Sequence, residues 1–460
     1  MKIQYKWILP GMIVIASCQV TRKYQQPAPP PSAQYRVQLT TDSNTIATIP
    51  WHSFFTDTVL QSLIQEGIDN NTDLKIAYQR ILISKAYLWK SKQAFLPELT
   101  GNAGIKQSKL AFPQAFGFVK EATQYDVGIA ASWEADIWGK LSSAQKAAYA
   151  RLMATTAAQR AVQTQLIADI ATNYVLLLSL DEQLKLLNST IANRQEDVKT
   201  MEALNASNIV NGAAVVQSKA NHADAKVAIP DVKKQIRETE NAICLLLNRA
   251  PGPIKRGALS SFSLPADFRV GVPATLLGNR PDVKEAEQLL RTSFENTNVA
   301  RSFFYPSLTI TGGSGFSSFD FSNWFSGTSL FANIAGGLAQ PILAKGENKA
   351  RLKTAEADQQ IAMYNFQKIM MQASQEVSNA LFVIETAEEK HAERSTQLQF
   401  LEQSVTFIKE LLKYNSSTNY IDVLTSENNL LIAQTHSIED TMQKIQGIIQ
   451  LYRALGGGWR

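Results

Sequence analysis

Cysteine is almost absent: Cys18 and Cys244 are the only two. That excludes the disulfide framework that staples many small exported domains. The four histidines, His52, His222, His391 and His436, are far apart and share no Cys/His or Asp/His spacing suited to zinc. No GxGxxG or Walker pattern occurs, and no dense Lys/Arg cluster with interleaved aromatics, so neither a nucleotide site nor nucleic-acid binding finds support. The formal charge of +5 is modest for 460 residues, and 45 % hydrophobic with 18 % charged residues excludes a wholly disordered chain. Helix breakers are scarce too, with 16 prolines and 23 glycines, and neither residue occurs between Ser142 and Asn205 or between Glu347 and Ser416. Each of these tracts, wound as a helix, would run on the order of 100 Å at 1.5 Å per residue. Helices that long stand only when laid against one another, so a coiled-coil tube or stalk is expected.

What is present is present twice. Asn71-Thr72-Asp73-Leu74 returns about 209 residues later as Arg280-Pro281-Asp282-Val283, and at the same offset Phe95-Leu96-Pro97-Glu98-Leu99-Thr100 returns as Phe304-Tyr305-Pro306-Ser307-Leu308-Thr309. Each copy runs through a medium helical pattern, a proline, two alternating segments around a loop, a very long helical pattern and a shorter return. The returns are Ala213 to Leu247, with a kink expected at Pro230, and Tyr420 to Leu451. A duplicated unit of this kind is architecture and not a catalytic pocket.

The alternating segments have the length of membrane strands. Tyr125, Val127, Ile129, Ala131 and Trp133 share one face, with Gln124, Asp126, Gly128, Ser132 and Glu134 on the other. Leu99 to Ile105 is a weaker partner. In the second copy Leu308 and Ile310 alternate with Thr309 and Thr311, and Leu330, Ala332, Ile334 and Leu338 with Phe331 and Asn333. A tilted strand needs about 9 to 11 residues to cross a bilayer. Four strands cannot close a barrel and open edges are forbidden in lipid, so several copies are expected to share one barrel. The loops within each pair hold Phe112, Phe116 and Phe118, and Phe319, Phe321, Trp324 and Phe325. Such rings suit either a belt at the lipid head groups or a plug in the mouth.

The first residues are an export signal. Lys2 and Lys6 precede an apolar run from Trp7 to Ile15, and Ile15-Ala16-Ser17 leads to Cys18. The segment resembles a bacterial lipoprotein signal, which implies cleavage before Cys18 and a covalent lipid on that residue. Gln19 is not the aspartate that often holds lipoproteins at the inner membrane, so the outer membrane is the expected address.

Taken in order, these residues resemble the outer membrane factor family, the TolC-like exit ducts of tripartite efflux systems, and most closely its lipoprotein branch. The tokens are Leu277-Gly278-Asn279-Arg280-Pro281-Asp282-Val283, Tyr305-Pro306-Ser307-Leu308, Ser132-Trp133-Glu134-Ala135-Asp136-Ile137-Trp138-Gly139-Lys140, Gln340-Pro341-Ile342 and Leu451 to Trp459. The resemblance implies a homotrimer with a 12-stranded β-barrel, four strands per protomer, continuous with a periplasmic α-helical barrel. It implies as partners a periplasmic adaptor, an inner-membrane pump and outer membrane lipid, with no nucleic acid, no metal and no cofactor beyond the lipid on Cys18. The segment Tyr420-Ile421-Asp422-Val423-Leu424-Thr425 matches the family stretch that carries an acidic gate. Asp422 takes an acidic position, Thr425 replaces a frequent aspartate, and Glu427 is the next carboxylate; three carboxylates converging on a narrow axis, one from each protomer, would repel, bind cations and form a constriction. Ser416 and Ser417 stand where a glycine is usual.

The expected organisation is a signal peptide at 1–17, a lipid-anchored tether at 18–52, and two repeats at 53–250 and 251–460. The first repeat holds a β-hairpin at about 98–137 and a helical hairpin at about 140–248; the second holds a helix at about 281–301, a β-hairpin at about 306–341 and a helical hairpin at about 344–453. Arg280, Pro281 and Asp282 form a structural junction, with Pro281 suited to a first helical turn and Asp282 to the positive end of the helix dipole. Ser207, Gly212, Ser416 and Ser417 lie in the turns where an adaptor would dock. The expected activity is passive export of small toxic or hydrophobic compounds. The exit duct of a type I protein-secretion system shares the physical design, and a lipid-anchored coiled-coil scaffold without a pore is the alternative from another class.

Overall fold

A computed structural model describes residues 20–27, 46–109, 121–264, 279–414 and 420–460. Cys18, the signal segment, the loop with Phe112, Phe116 and Phe118, the Leu277-Gly278 pair and the turn with Ser416 and Ser417 lie outside the described residues. In chain order the helices and strands are α1 (Trp51–Phe54), α2 (Thr58–Asn70), α3 (Thr72–Gln93), β1 (Glu98–Lys109), β2 (Glu121–Ala135), α4 (Lys140–Ala206) and α5 (Gly212–Leu246), then α6 (Pro281–Ser302), β3 (Ser307–Ser318), β4 (Leu330–Ala339), α7 (Glu347–Tyr414) and α8 (Tyr420–Ala454). None of the described helices is long and apolar enough to cross a membrane. The lengths repeat: α3 and α6 have 22 residues each, β1 and β3 have 12, α4 and α7 have 67 and 68, and α5 and α8 have 35. Pro230 sits inside α5, which runs on through it.

The described residues fall into two compact units. One is built on Arg80–Thr156 and Glu285–Phe366 with the described part of Met1–Ala28, and contains the sheet. Its four strands lie in sequence order, each antiparallel to the next, in the order β1-β2-β3-β4. The register pairs Leu99 with Ala131, Ile129 with Ser314 and Gly312 with Ile334, so the residues of the apolar alternation fall in line across all four strands. Leu99, Ile105, Ile129, Ile334 and Leu338 are exposed on that face. The opposite face carries Glu98, Thr100, Asn102, Asp126, Ser132, Thr311 and Asn333. Among the described residues β1 and β4 are edge strands, each paired on one side alone.

Residues 20–27, expected to be an extended tether, are packed within this unit. The Arg22 backbone N–H donates to Asn298 Oδ1 at 3.1 Å and its carbonyl accepts from Asn298 Nδ2 at 2.9 Å. The Tyr24 ring meets Phe294 edge-on at 5.5 Å. An amide side chain that matches a backbone pair, plus one aromatic ring, is enough to seat a short segment against α6.

The other unit, built on Pro29–Gln79, Ala157–Lys284 and Gln367–Arg460, holds the main core. Phe54, Phe55, Leu60, Ile64, Ile170, Tyr174, Leu177, Ile243, Leu247, Ile449 and Leu455 are all completely buried there. Phe54 stacks on Tyr452 at 3.9 Å, and the Tyr452 hydroxyl donates to the Ile49 carbonyl at 2.6 Å. Asp57 caps α2 by accepting from the N–H groups of Val59 and Leu60, and its other oxygen accepts from the Tyr174 hydroxyl at 3.1 Å.

Candidate functional site: strand wall, helix junctions and helical tips

The strand wall is made by glycine as much as by alternation. Gly128 and Gly315 face each other in the register, and a Cβ on Gly315 would stand 2.2 Å from the Val127 carbonyl oxygen and 2.5 Å from Gly128 Cα. No other residue type permits that approach. A shallow cavity of about 550 Å³ runs along the polar face, lined by Glu98, Asn102, Asp126, Thr311, Phe331 and Asn333 among others. At one end of the sheet Tyr125 and Phe316, both on the apolar face, gather the rings of the β3–β4 loop. Tyr125 meets Phe321 at 5.4 Å and Trp324 at 5.5 Å, Trp324 stacks on Phe325 at 5.0 Å, and Phe316 meets Phe325 at 5.7 Å. The aromatic loop therefore clusters on the apolar side, where a belt would lie and a plug would not.

Where strands become helices, the SWEADIWGK tract folds back on itself. Asp136 accepts from Leu141 N, Ser142 N and Ser142 Oγ and so caps α4, while Lys140 Nζ bridges both oxygens of Glu134 at 2.9 Å. Gly139 takes φ +74, and a Cβ there would meet Thr21 at 2.9 Å. Trp138 Nε1 donates to the Pro306 carbonyl at 2.7 Å, and Trp133 Nε1 donates to the Phe95 carbonyl at 2.9 Å.

The duplicated helix starts use different chemistry for one task. Asn71 caps α3 through Leu74 N and donates Nδ2 to the carbonyl of Leu246, at the end of α5. Arg280, 5 % exposed, precedes Pro281 at the start of α6 and donates NH1 to the carbonyl of Ala454, at the end of α8. Its guanidinium also binds Asp282 at 2.7 and 3.0 Å and Glu376 at 2.8 Å. Burial alone would lower the Arg280 pKa, yet the two carboxylates hold it above its ordinary value. Burial would raise Asp282, and Arg280 with the Val283 N–H outweighs it and keeps that carboxyl below the usual range. The glycines that follow α8 complete the junction: Gly456, at φ +90, lies against the Arg280 backbone, and Gly457 lies against the Tyr452 ring.

At the far end of the long helices the described tip is the α4–α5 turn. Ser207 N and Oγ both donate to the Ala203 carbonyl, Asn205 Nδ2 donates to the Val210 carbonyl, and Asn211 caps α5 through Ala214 N. Asn208 takes φ 54, Ile209 is exposed, and a Cβ on Gly212 would meet nothing within 4 Å. Beyond the α7–α8 turn, Asp422 stands exposed in the first turn of α8. Thr425 is exposed one turn on, its hydroxyl donating to the Ile421 carbonyl. Glu427 points the other way. It pairs with Lys409 of α7, which also holds Asp197 of α4 at 3.0 Å. Burial first, then the neighbouring Asp197, raises the Glu427 pKa. Burial would lower Lys409, and the two carboxylates outweigh it and raise it. Next to this cluster the buried Arg194 donates to the Asn221 carbonyl and to Asn428 Oδ1, joining α4, α5 and α8.

Sequence reasoning missed Arg194, Asp197 and Lys409. The signal was there in part: Arg194, Asp197, Val198 and Met201 fall at i, i+3, i+4 and i+7, and all four are buried. Charged residues at core-facing positions of a long helix mark a partner elsewhere in the chain.

The family model described as "Outer membrane efflux protein" matches residues 63–249 and 272–457, most of the chain. The chain belongs to the outer membrane efflux protein family. Among proteins similar to this efflux-family chain is the "Solvent efflux pump outer membrane protein SrpC" of Pseudomonas putida, 28 % identical over 460 residues, covering 98 % of this chain and 97 % of that one. The "Probable outer membrane lipoprotein SilC" of Salmonella typhimurium is 27 % identical over 454 residues, covering 97 % of each. Among solved structures, that of the CusC channel superposes with a TM-score of 0.85 at 26 % identity, covering 96 % of this chain and 100 % of that one.

Proposed function

We propose that this chain is one protomer of a homotrimeric, passive exit duct in the outer membrane, serving a tripartite efflux system. The observation that carries the reading is the sheet: one apolar face, one polar face and two unpaired edges. Such a sheet cannot stand alone in lipid, and three copies joined edge to edge give a 12-stranded barrel with the polar face inward. The long hairpins α4–α5 and α7–α8 then continue the lumen as a periplasmic helical tunnel. The near-equal lengths of the paired helices and of β1 and β3, the matching anchors Asn71 to Leu246 and Arg280 to Ala454, and a family model matching both halves support two half-repeats at 53–250 and 251–460. Residues 1–17 are read as the cleaved signal and 18–52 as the N-terminal segment anchored by lipid on Cys18. The similarity to a probable outer membrane lipoprotein supports that anchor.

In this reading a periplasmic adaptor seats on the turn tips, including Ser207, Gly212, Ser416 and Ser417, and the inner-membrane transporter supplies the energy. Asp422 provides the acidic ring at the periplasmic constriction, with Thr425 beside it. Glu427 serves the same region from within, fastening α8 to α7. The relatives' names, a solvent pump protein among them, support small compounds as cargo.

The shared barrel is tested with Gly104→Cys and Gly337→Cys in one chain, at edge-strand positions where a Cβ meets nothing within 4 Å. A short bifunctional thiol reagent applied to outer membranes should give a ladder ending at the trimer. Monomer alone, with both thiols shown to be labelled, would remove the shared barrel.

A further inference from the structure

On the polar face of the sheet, among the described strand residues, Phe331 is the one large apolar side chain. Its place in the register explains how it fits there. Phe331 pairs with Gly315, Gly315 pairs with Gly128, and Gly128 pairs with Asn102, so the row beside the ring has no side chain on two successive strands. The ring reaches across that gap, its Cζ 3.5 Å from where a Gly128 Cβ would stand. The tip of the ring thus lies over the Gly128 backbone while the side chain remains 38 % exposed and lines the polar-face cavity.

The rest of that lining has a definite charge. It contains the carboxylates of Glu98 and Asp126, the amides of Asn102 and Asn333, and no lysine or arginine. Asp126 is held by neutral donors, Gln124 Nε2 at 3.0 Å and Ser317 Oγ at 2.6 Å, and neither carboxylate pairs with a cation among the described residues. A flat aromatic platform beside the uncompensated carboxylate of Asp126 favours a flat ligand of positive charge, by stacking and by cation–π attraction together. We propose that Phe331, with Asp126, forms a subsite on the lumen wall for planar aromatic cations in transit. The subsite rests on the duct reading and narrows its cargo class. Phe331 also shields the glycine backbone, and leucine at this position would do that equally well.

The test uses the full-length protein in lipid nanodiscs and planar bilayers, with ethidium as the probe. Phe331→Leu should weaken ethidium binding by about tenfold in fluorescence anisotropy. Phe331→Trp should retain binding, and Asp126→Asn should weaken it and reduce its salt dependence. Equal affinity in wild type and Phe331→Leu overturns the subsite. Wild-type protein that conducts without binding ethidium overturns the subsite alone. Protein that binds ethidium through Phe331 yet carries no current upholds the subsite and overturns the duct.

Discussion

At Arg280 a single side chain closes the join between the start of α6 and the end of α8. Its guanidinium is buried, whereas Asp282 and Glu376 are each about a third exposed, so water would rescue the carboxylates in part after its removal. Arg280→Met should therefore destabilise the protein by about 2 to 3 kcal/mol, below the full loss for a buried pair broken from one side. Thermal unfolding of the detergent-solubilised protein measures it. Asp282 gives the pH dependence. Its folded pKa is depressed below the ordinary aspartate value of 3.8, so its contribution is present above that pH and is lost as the pH falls through the lower folded value. Asp282→Asn should be less stable than wild type at neutral pH, and the difference should shrink steadily on acidification below about pH 4.

Among the elements, the strands depend on glycine at specific sites. Gly315→Val places a side chain on the Val127 carbonyl and should abolish assembly into a heat-resistant oligomer, whereas Gly101→Ala, at a position with no neighbour within 4 Å, should assemble as wild type. Gel mobility with and without heating reads both. The strand alternation at Tyr125 to Trp133 was legible because that sheet separates an apolar from a wet surface, and the long helices because nothing in them breaks a helix. The packing of Arg22 and Tyr24 on α6 was not legible, since composition marks 20–27 as tether and the matching amide is Asn298, remote in sequence. Nor could sequence choose between belt and plug for Phe321, Trp324 and Phe325, because that depends on which face gathers them. For the tips, the helix start at Tyr420 was readable, but the inward turn of Glu427 toward Lys409 and Asp197 depends on three helices meeting.

For the whole molecule, a two-faced sheet with unpaired edges requires partners in lipid. The pore and its gate are one claim, since a duct spanning the envelope without a constriction would leak. The most direct measurement is single-channel conductance of the purified mature protein in a planar bilayer, wild type against Asp422→Ala. The account predicts a small, well-defined conductance for wild type and a larger, less cation-sensitive one for the variant. Absence of conductance from both proteins, with insertion into the bilayer verified, would contradict it and favour a lipid-anchored scaffold.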